Sequence, residues 1–301
     1  MEFAKGAGPL IFLGFLIAVV LLEAAWLIFA RKQDYNWRAA AASFGVAIGK
    51  RVIELGTAGI GLAFALWVYD HRLFTLTLDS VGAWLVFFLL FELAYYWHHR
   101  LAHEVRWLWA THGVHHSANE MNFSVGPRLG WTGLISGNVL VFAPLFWLGY
   151  HPIAVFFVLS AGLFYQLFVH TELVGRLPAP IEWLLNTPSA HRVHHGSDPE
   201  YLDKNYGGVL LIWDHVFGTY QVETHRPTYG LTQPVTSNNP FRIALFEWAG
   251  MIRDVASARR LTDAIGYMFG PPGWSPENRR RMSTIRLHNP LKFFTRKATQ
   301  Q

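Results

Sequence analysis

Histidine is the residue type whose number and spacing in this chain point to chemistry. The chain has 15 histidines. Ten of them lie in four short blocks at the ends of apolar stretches: His98, His99 and His103; His112, His115 and His116; His170; and His191, His194 and His195. Neutral imidazole is the commonest metal ligand in proteins, and eight or more imidazoles are too many for one ion. The blocks therefore predict a two-metal site at a membrane face.

The spacing within the blocks predicts which side chains share an ion. On a helix, His99 and His103 lie four residues apart on one face and can hold the same metal. In both H-x2-HH blocks the i, i+3 pair is predicted to share a face, and the last histidine to turn towards a neighbouring ion. These i, i+3 pairs are His112 with His115 and His191 with His194. Each block is therefore predicted to bridge two ions.

Isolated histidines carry less information than spaced blocks. His170 is predicted to be a ligand because it lies at the returning end of an apolar hairpin, beside the other blocks. His98 points about 100° away from His99 on a helix, so His99 is the favoured ligand of the two. Five histidines without a spaced partner are predicted to be structural or solvated: His71, His151, His215, His225 and His288.

Carboxylates near the blocks are candidates for orienting the imidazoles. Glu92 lies seven residues before His99, on the same helical face, inside an apolar stretch where an ionisable group is costly. It is predicted either to orient a ligating imidazole or to hydrogen-bond two helices together. Glu104, Asp203 and Asn205 have two alternatives as well, a contact with a ligand or a place in a solvated loop.

The elements that must position these blocks are apolar helices. The 301 residues are 52% hydrophobic and 15% charged, a balance typical of membrane proteins. Between Pro9 and Ala30 the only ionisable residue is Glu23, which predicts a retained membrane anchor. Four further apolar stretches lie at about 52–67, 81–97, 131–150 and 152–169, the last two forming a predicted helical hairpin. The chain has no cysteine, which excludes disulfides, thiolate zinc sites and iron–sulfur clusters.

Basic residues predict the orientation in the membrane. Arg31, Lys32, Arg38, Lys50 and Arg51 lie between the first two apolar stretches and place that loop in the cytoplasm. Alternate crossings of five stretches then bring all four histidine blocks to the cytoplasmic face. Residues 226–301 hold 12 Lys/Arg against 4 Asp/Glu. The basic runs at 279–281 and 292–297 are predicted to face anionic lipid rather than nucleic acid.

The blocks and the residues around them resemble the fatty acid hydroxylase/sterol desaturase superfamily of membrane di-iron oxygenases. The resemblance covers roughly residues 80–220 and rests on HHRLAHE at 98–104, THGVHHSANEMN at 111–122, HTELVGRLP at 170–178 and TPSAHRVHHGSDPEYLDKNYGGVLLIWDHVFGTY at 187–220. It implies that two iron ions, which activate O2, are bound by His99, His103, His112, His115, His116, His170, His191, His194 and His195. Some relatives have a further histidine where this chain has Gln166, so a tenth ligand, Gln166 or His98, stays open.

These observations predict a mainly α-helical integral membrane bundle with a histidine-rich di-metal cap on the cytoplasmic side. Residues 1–79 are expected to form membrane-anchor helices, 80–225 the catalytic domain and 226–301 a basic cytoplasmic tail. The expected activity is hydroxylation or desaturation of a fatty acyl, sterol or related lipid with O2. No dinucleotide-binding or haem-binding pattern is recognised, so electrons are expected from a separate ferredoxin or cytochrome and reductase system.

Two other functions stay open at this point. Oxidative cleavage of an ether lipid is one, because the alkylglycerol monooxygenase branch of the superfamily shares these blocks. A zinc-binding membrane protein or a metal transporter is the other. A transporter needs ionisable ligands near the middle of the bilayer, whereas these blocks lie at the ends of apolar stretches, which argues against transport.

Overall fold

The computed structural model of the protein describes residues 3–278, with side chains from residue 11 onward. The described part is mainly helical, with two isolated β-bridges, Leu185 to Leu210 and Gly196 to Tyr229. The helices are α1 (Phe3–Ala25), α2 (Trp37–Asp70), α3 (Val81–Glu104), α4 (Arg106–His116), α5 (Gly133–Ser136), α6 (Ala143–Leu148), α7 (Pro152–Leu167), α8 (Ala179–Leu184), α9 (Pro188–His194), α10 (Ile212–Phe217), α11 (Pro240–Ser257) and α12 (Leu261–Phe269). A π-helical turn, Trp26–Ala30, extends α1, and a 3-10 turn, Asn138–Phe142, lies between α5 and α6. The basic runs at 279–281 and 292–297 lie outside the described residues.

Three helical segments are long and apolar enough to cross a membrane: Ile11–Ala30, Trp37–Asp70 and Val81–Glu104. Large apolar side chains on them point away from the protein, as Leu22, Leu55 and Val81 show with exposures of 71%, 81% and 77%. A helix can leave such a surface uncovered in lipid, because all its backbone hydrogen bonds are internal. The chain is therefore a membrane protein, as its composition predicts.

Two predicted elements differ from the structure. Arg38, Lys50 and Arg51 lie within α2 and not in a loop. This helix of 34 residues is about 51 Å long and exceeds a hydrocarbon core of about 30 Å, so its basic part can extend beyond the core. The predicted hairpin is also shorter than expected. Gly137, with φ at 76°, breaks its first arm into α5, a 3-10 turn and α6, and its second arm, α7, has 16 residues. The described residues thus contain three candidate spans where the sequence predicted five.

Local sequence features bring the histidine blocks together. The Ser80 side chain caps the start of α3 by accepting a hydrogen bond from Ala83 N. Val105, in extended conformation, ends α3, and α4 begins at the next residue and packs beside α3. Thr187 caps α9 by accepting from Ala190 N, with Pro188 at the first helical position. The caps fix where α3 and α9 begin, and the break at Val105 fixes where α4 begins, which sets the positions of the histidine blocks on these helices.

Three apolar clusters hold the helices behind the histidines. The largest joins α2, α3, α6 and α7 and includes Phe91 stacked on Phe142 at 5.6 Å between ring centres. A second joins α1 to Leu167 at the end of α7, just before His170. The third joins α2, α4 and α11 through Val46, Val114 and Ile243. Part of the segment expected to be a basic tail therefore packs against the helix of the second histidine block.

Candidate metal centre

The nine histidines predicted as ligands lie in two groups. The first group is His99, His103, His112, His116 and His194, and the second is His115, His170, His191 and His195. In each group every histidine offers one nitrogen, and these atoms lie within 4.8 Å of one another. Eight of the nine are buried, and His112 is partly buried. Nine imidazoles divided in this way provide donor sets for two ions.

Each H-x2-HH block contributes to both groups, but the pairing within the blocks differs from the prediction. His112 and His116 belong to the first group and His115 to the second. In the other block His191 and His195 belong to the second group, and His194 to the first. Residues at i, i+4 are about 40° apart around a helix and residues at i, i+3 about 60°, so the i, i+4 pair converges better. The middle histidine of each block therefore points to the other group.

Backbone carbonyls determine the tautomer of four of these histidines. The Nδ1 atoms of His99, His115, His170 and His194 donate to the carbonyl oxygens of Tyr206, Arg128, Gln166 and Lys204, at 2.8, 3.2, 2.6 and 2.9 Å. A carbonyl oxygen only accepts, so each Nδ1 carries the hydrogen and each Nε2 presents a lone pair. This tautomer is the one that binds a metal through Nε2.

The Nε2 atoms converge at distances that suit metal ligands. His99 Nε2 lies 3.0 Å from His112 Nε2, and His191 Nε2 lies 2.9 Å from His170 Nε2. Ligand nitrogens about 2.1 Å from a shared ion are about 3 Å apart. His103 Nε2 and His194 Nε2 are buried with no hydrogen-bond partner in the described part of the chain, which is costly for a polar atom unless an ion pairs with it. The residues present therefore fit two metal ions.

Burial keeps these imidazoles neutral. Desolvation, reinforced by neighbouring imidazoles, lowers the pKa of His112, His115, His116, His191, His194 and His195 well below the usual 6.5. Burial lowers the pKa of His170 to about 4. At pH 7 these side chains are therefore in the unprotonated form that metal binding requires.

The predicted carboxylates occupy different places. Asp203 contacts a predicted ligand, with its Oδ1 at 3.5 Å from His103 Nδ1. Glu92 Oε2 instead accepts hydrogen bonds from Val209 N at 2.9 Å and Leu210 N at 2.7 Å. Two helical turns, about 10 Å, separate Glu92 from His99, which is farther than a glutamate side chain reaches. Glu92 thus hydrogen-bonds α3 to the segment just before α10.

Glu104 and Asn205 also make specific contacts. Glu104 pairs with Arg100 at 2.8 Å, one turn away on α3. The side chain of Asn205 is buried and bonds to backbone atoms of Ala190 and Gln221. Asn205 is therefore not a solvated-loop residue, which was the alternative for this position.

Neither candidate for a tenth ligand stands among the converging nitrogens. His98 lies in neither group, and its ring packs beside Phe142. The side-chain oxygen of Gln166 accepts a hydrogen bond from the Tyr95 hydroxyl at 2.8 Å. Gln166 nevertheless serves the site through its backbone, because its carbonyl accepts from His170 Nδ1. The residue type gives no sign of this contribution, because every residue has a backbone carbonyl.

The histidines outside the blocks make other contacts. His71 Nδ1 donates to Trp67 O and His215 Nε2 donates to Trp183 O. His151 Nδ1 accepts from Ile153 N at the start of α7. His225 lies beside Tyr201, 4.8 Å between ring centres. His288 lies outside the described residues.

The sequence analysis missed the part that Glu23 plays. This buried side chain accepts a hydrogen bond from the Thr171 hydroxyl at 2.5 Å and another from Phe123 N at 2.7 Å. Thr171 directly follows His170, so Glu23 connects α1 to the segment of the second group. A signal was present, because an ionisable residue alone in an apolar stretch is costly unless it is paired.

The chain is similar in sequence to known proteins. Residues 84–219 match the family model described as fatty acid hydroxylase. Alkylglycerol monooxygenase of Homo sapiens is 33% identical over 285 residues, which cover 91% of this chain and 60% of that protein. The Danio rerio alkylglycerol monooxygenase is 35% identical over 242 residues, covering 78% of this chain and 52% of that protein.

A more distant relative has a different lipid in its name. Ornithine lipid hydroxylase of Rhizobium tropici is 34% identical over 130 residues, which cover 43% of this chain and 39% of that protein. The chain spans between about half and three fifths of the length of the two alkylglycerol monooxygenases. No solved structure matches the chain.

Proposed function

The chain belongs to the fatty acid hydroxylase superfamily, as its histidine blocks predict, and on that premise we propose that it is a membrane-bound, O2-dependent lipid monooxygenase with two iron ions. The observation that carries this proposal is the pair of histidine groups, nine imidazoles whose donor nitrogens converge at the end of a candidate membrane span. Bound there, two iron ions would supply the activation of O2 needed to attack an unactivated C–H bond.

The chain's own residues prepare the site in three ways. Neutral imidazoles leave the positive charge of the metals undiminished, where carboxylate ligands would reduce it. Burial of eight of the nine histidines keeps bulk water away from the reacting atoms. The apolar length of α3 leads from the bilayer directly to His99, which gives a water-insoluble substrate a lateral path to the site.

We propose an ether lipid as the substrate. The human alkylglycerol monooxygenase aligns with 91% of this chain, whereas the ornithine lipid hydroxylase aligns with 43%. In oxidative ether cleavage one atom of O2 enters a C–H bond next to the ether oxygen. Two electrons and two protons reduce the other atom to water, and the hemiacetal formed breaks into an alcohol and an aldehyde. A separate donor, a ferredoxin or a cytochrome with its reductase, supplies the electrons.

The second candidate is hydroxylation of a lipid that has no ether bond. The similarity to ornithine lipid hydroxylase over 130 residues favours it. Both candidates need the same metal centre, so they differ only in the lipid that reaches it.

We place the histidine groups at the cytoplasmic face. Arg31 and Lys32 follow the first candidate span, and Arg38, Lys50 and Arg51 lie on the part of α2 that precedes its most apolar length. Lys and Arg next to a span favour the cytoplasmic side. Since α2 and α3 then cross in opposite directions, the end of α3 that holds His99 returns to that side.

Lipid turnover tests the proposed function. The full chain, reconstituted in lipid nanodiscs with ferrous iron and a chemical reductant, is given an alkylglycerol under air and, in parallel, under argon. We expect a long-chain aldehyde that forms only with O2 and iron. A hydroxylated product from an ether-free lipid, with no aldehyde from the alkylglycerol, would favour the second candidate. Zinc retained in the purified protein and no O2-dependent product with either lipid would contradict an oxygenase and favour a zinc-binding protein.

A further inference from the structure

Three ligands of the first histidine group contact one short turn, residues 203–206. Asp203 Oδ1 lies 3.5 Å from His103 Nδ1. The Lys204 carbonyl accepts from His194 Nδ1 at 2.9 Å, and the Tyr206 carbonyl accepts from His99 Nδ1 at 2.8 Å. These three contacts come from within four consecutive residues.

Two histidines of the second group are oriented from elsewhere. The carbonyls of Arg128 and Gln166 accept from His115 Nδ1 and His170 Nδ1. Neither residue belongs to the 203–206 turn or is near it in the sequence. Among the described residues, the turn therefore contacts non-ligating nitrogens of the first group and none of the second.

The backbone of the 203–206 turn needs support. Asp203 and Asn205 have φ values of 60° and 56°, in the left-handed region that residues other than glycine seldom occupy. Asp and Asn tolerate this region best among them. Such conformations persist where the surrounding structure fixes them, and they are found at functional sites.

Two buried side chains supply that support. Asn205 Nδ2 donates to Ala190 O at 2.9 Å and to Gln221 O at 2.8 Å, and its Oδ1 accepts from Gln221 N at 2.8 Å. The fully buried Asp214 accepts from Tyr206 N and Gly207 N, both at 2.8 Å, and from the Thr219 hydroxyl at 2.6 Å. The amides on either side of the Tyr206 carbonyl are thus bound to one carboxylate.

We propose that Asp203 is a positioning residue for the first metal and not for the second, and that Asn205 and Asp214 support the turn that carries it. Asp203 acts on His103 directly, since a carboxylate beside the non-ligating nitrogen orients a ligating imidazole and makes it more basic. Asn205 and Asp214 act through the turn, by fixing the carbonyls that hold His194 and His99. The proposal rests on the proposed function only in that the two groups bind metal.

Iron binding tests this selectivity. Metal-free full-length protein is titrated anaerobically with ferrous iron against a competing chelator, and bound iron per chain is measured. Asp203→Asn is the main variant, because the Asp203 side chain is 64% exposed and asparagine tolerates the same left-handed backbone conformation. We expect one of the two binding steps to weaken about 10- to 100-fold while the other keeps its wild-type affinity. Asp214→Asn and Asn205→Asp are expected to weaken the same step at least as much, since both side chains support the turn.

A matched control separates this effect from the general loss of a carboxylate. Asp198 Oδ2 accepts from Thr228 N at 2.7 Å, outside the 203–206 turn, so Asp198→Asn should bind iron like the wild type. Unchanged iron affinity in Asp203→Asn, or equal weakening of both binding steps, would overturn the proposal. If Asp214→Asn loses its helical circular dichroism, it is misfolded, and the Asp203→Asn result alone decides. Wild-type protein that binds two irons but oxidises neither lipid would contradict the proposed function. The comparison of wild type with Asp203→Asn would still decide whether Asp203 positions a ligand of the first metal.

Discussion

His115 Nε2 and His170 Nε2 lie 3.0 Å apart, although 55 residues separate them in the chain. Both residues donate their Nδ1 hydrogens to backbone carbonyls, of Arg128 and Gln166. Two neutral imidazoles in this tautomer present lone pairs to each other, which is repulsive in a buried place unless a cation lies between them. This relationship indicates a metal site more directly than the number of histidines does.

The first prediction concerns the ligands. His115→Ala removes a donor from the second group and His194→Ala removes one from the first, so each should lower bound iron and abolish lipid turnover. His225→Ala is the control, because this histidine lies beside Tyr201, has a side chain 47% exposed, and belongs to neither group. Iron content and turnover are measured on the same preparations. Full activity in His194→Ala would refute the ligand assignment.

The second prediction concerns Glu92. One carboxylate oxygen accepts from both Val209 N and Leu210 N, and the side-chain carbonyl of a glutamine can take its place. Glu92→Gln should therefore keep most of its iron, turnover and thermal stability. Glu92→Leu leaves two amides unpaired and should cost about 1–3 kcal/mol for each. A large loss of turnover at normal iron content in Glu92→Gln would show instead that the charge acts on the ligands, as the orienting role predicts.

The third prediction concerns the contact between Glu23 and Thr171. Glu23→Leu leaves the Thr171 hydroxyl and Phe123 N without their acceptor, so the protein should unfold at a lower temperature, with a cost of about 1–3 kcal/mol for each donor. Glu54→Gln removes an ion pair of a half-exposed carboxylate on α2 and should change stability by less than about 0.5 kcal/mol. Thermal unfolding in detergent measures both. Equal effects of the two substitutions would show that Glu23 has no structural role.

The fourth prediction concerns topology. A reporter fused after Gln301 should be cytoplasmic, and a reporter at the N-terminus should be external, because the basic residues follow the first candidate span. A cysteine introduced near Lys50 and another near His112 should react with a membrane-impermeant reagent from the same side. Labelling of these two positions from opposite sides would contradict one cytoplasmic metal centre.

The convergence of nine histidines could be predicted from the sequence, because it depends on residue types and on helical spacing. The superfamily, the membrane character and the mainly helical fold were predicted from the same blocks and from hydropathy, and they are confirmed. The pairing within the H-x2-HH blocks was predicted wrongly. Both i, i+3 and i, i+4 place residues on one face, but the i, i+4 pair, about 40° apart, converges better than the i, i+3 pair, about 60° apart.

The supporting contacts could not be read from the sequence. Four histidines donate to backbone carbonyls, which every residue has, so Tyr206 and Lys204 carry no signal of their role. Glu92 reaches backbone amides more than a hundred residues away, and no local pattern specifies such a contact. The broken hairpin was missed because Gly137 was read as part of an apolar helix, whereas its positive φ interrupts it.

Metal analysis of the full chain, purified anaerobically without added metal, tests the central claim most directly. The two histidine groups predict two iron ions per chain, and loss of lipid turnover when a chelator removes them and its return when ferrous iron is restored. One metal per chain would contradict the two-ion site. Two zinc ions that iron does not replace, with no turnover after iron is supplied, would contradict the oxygenase.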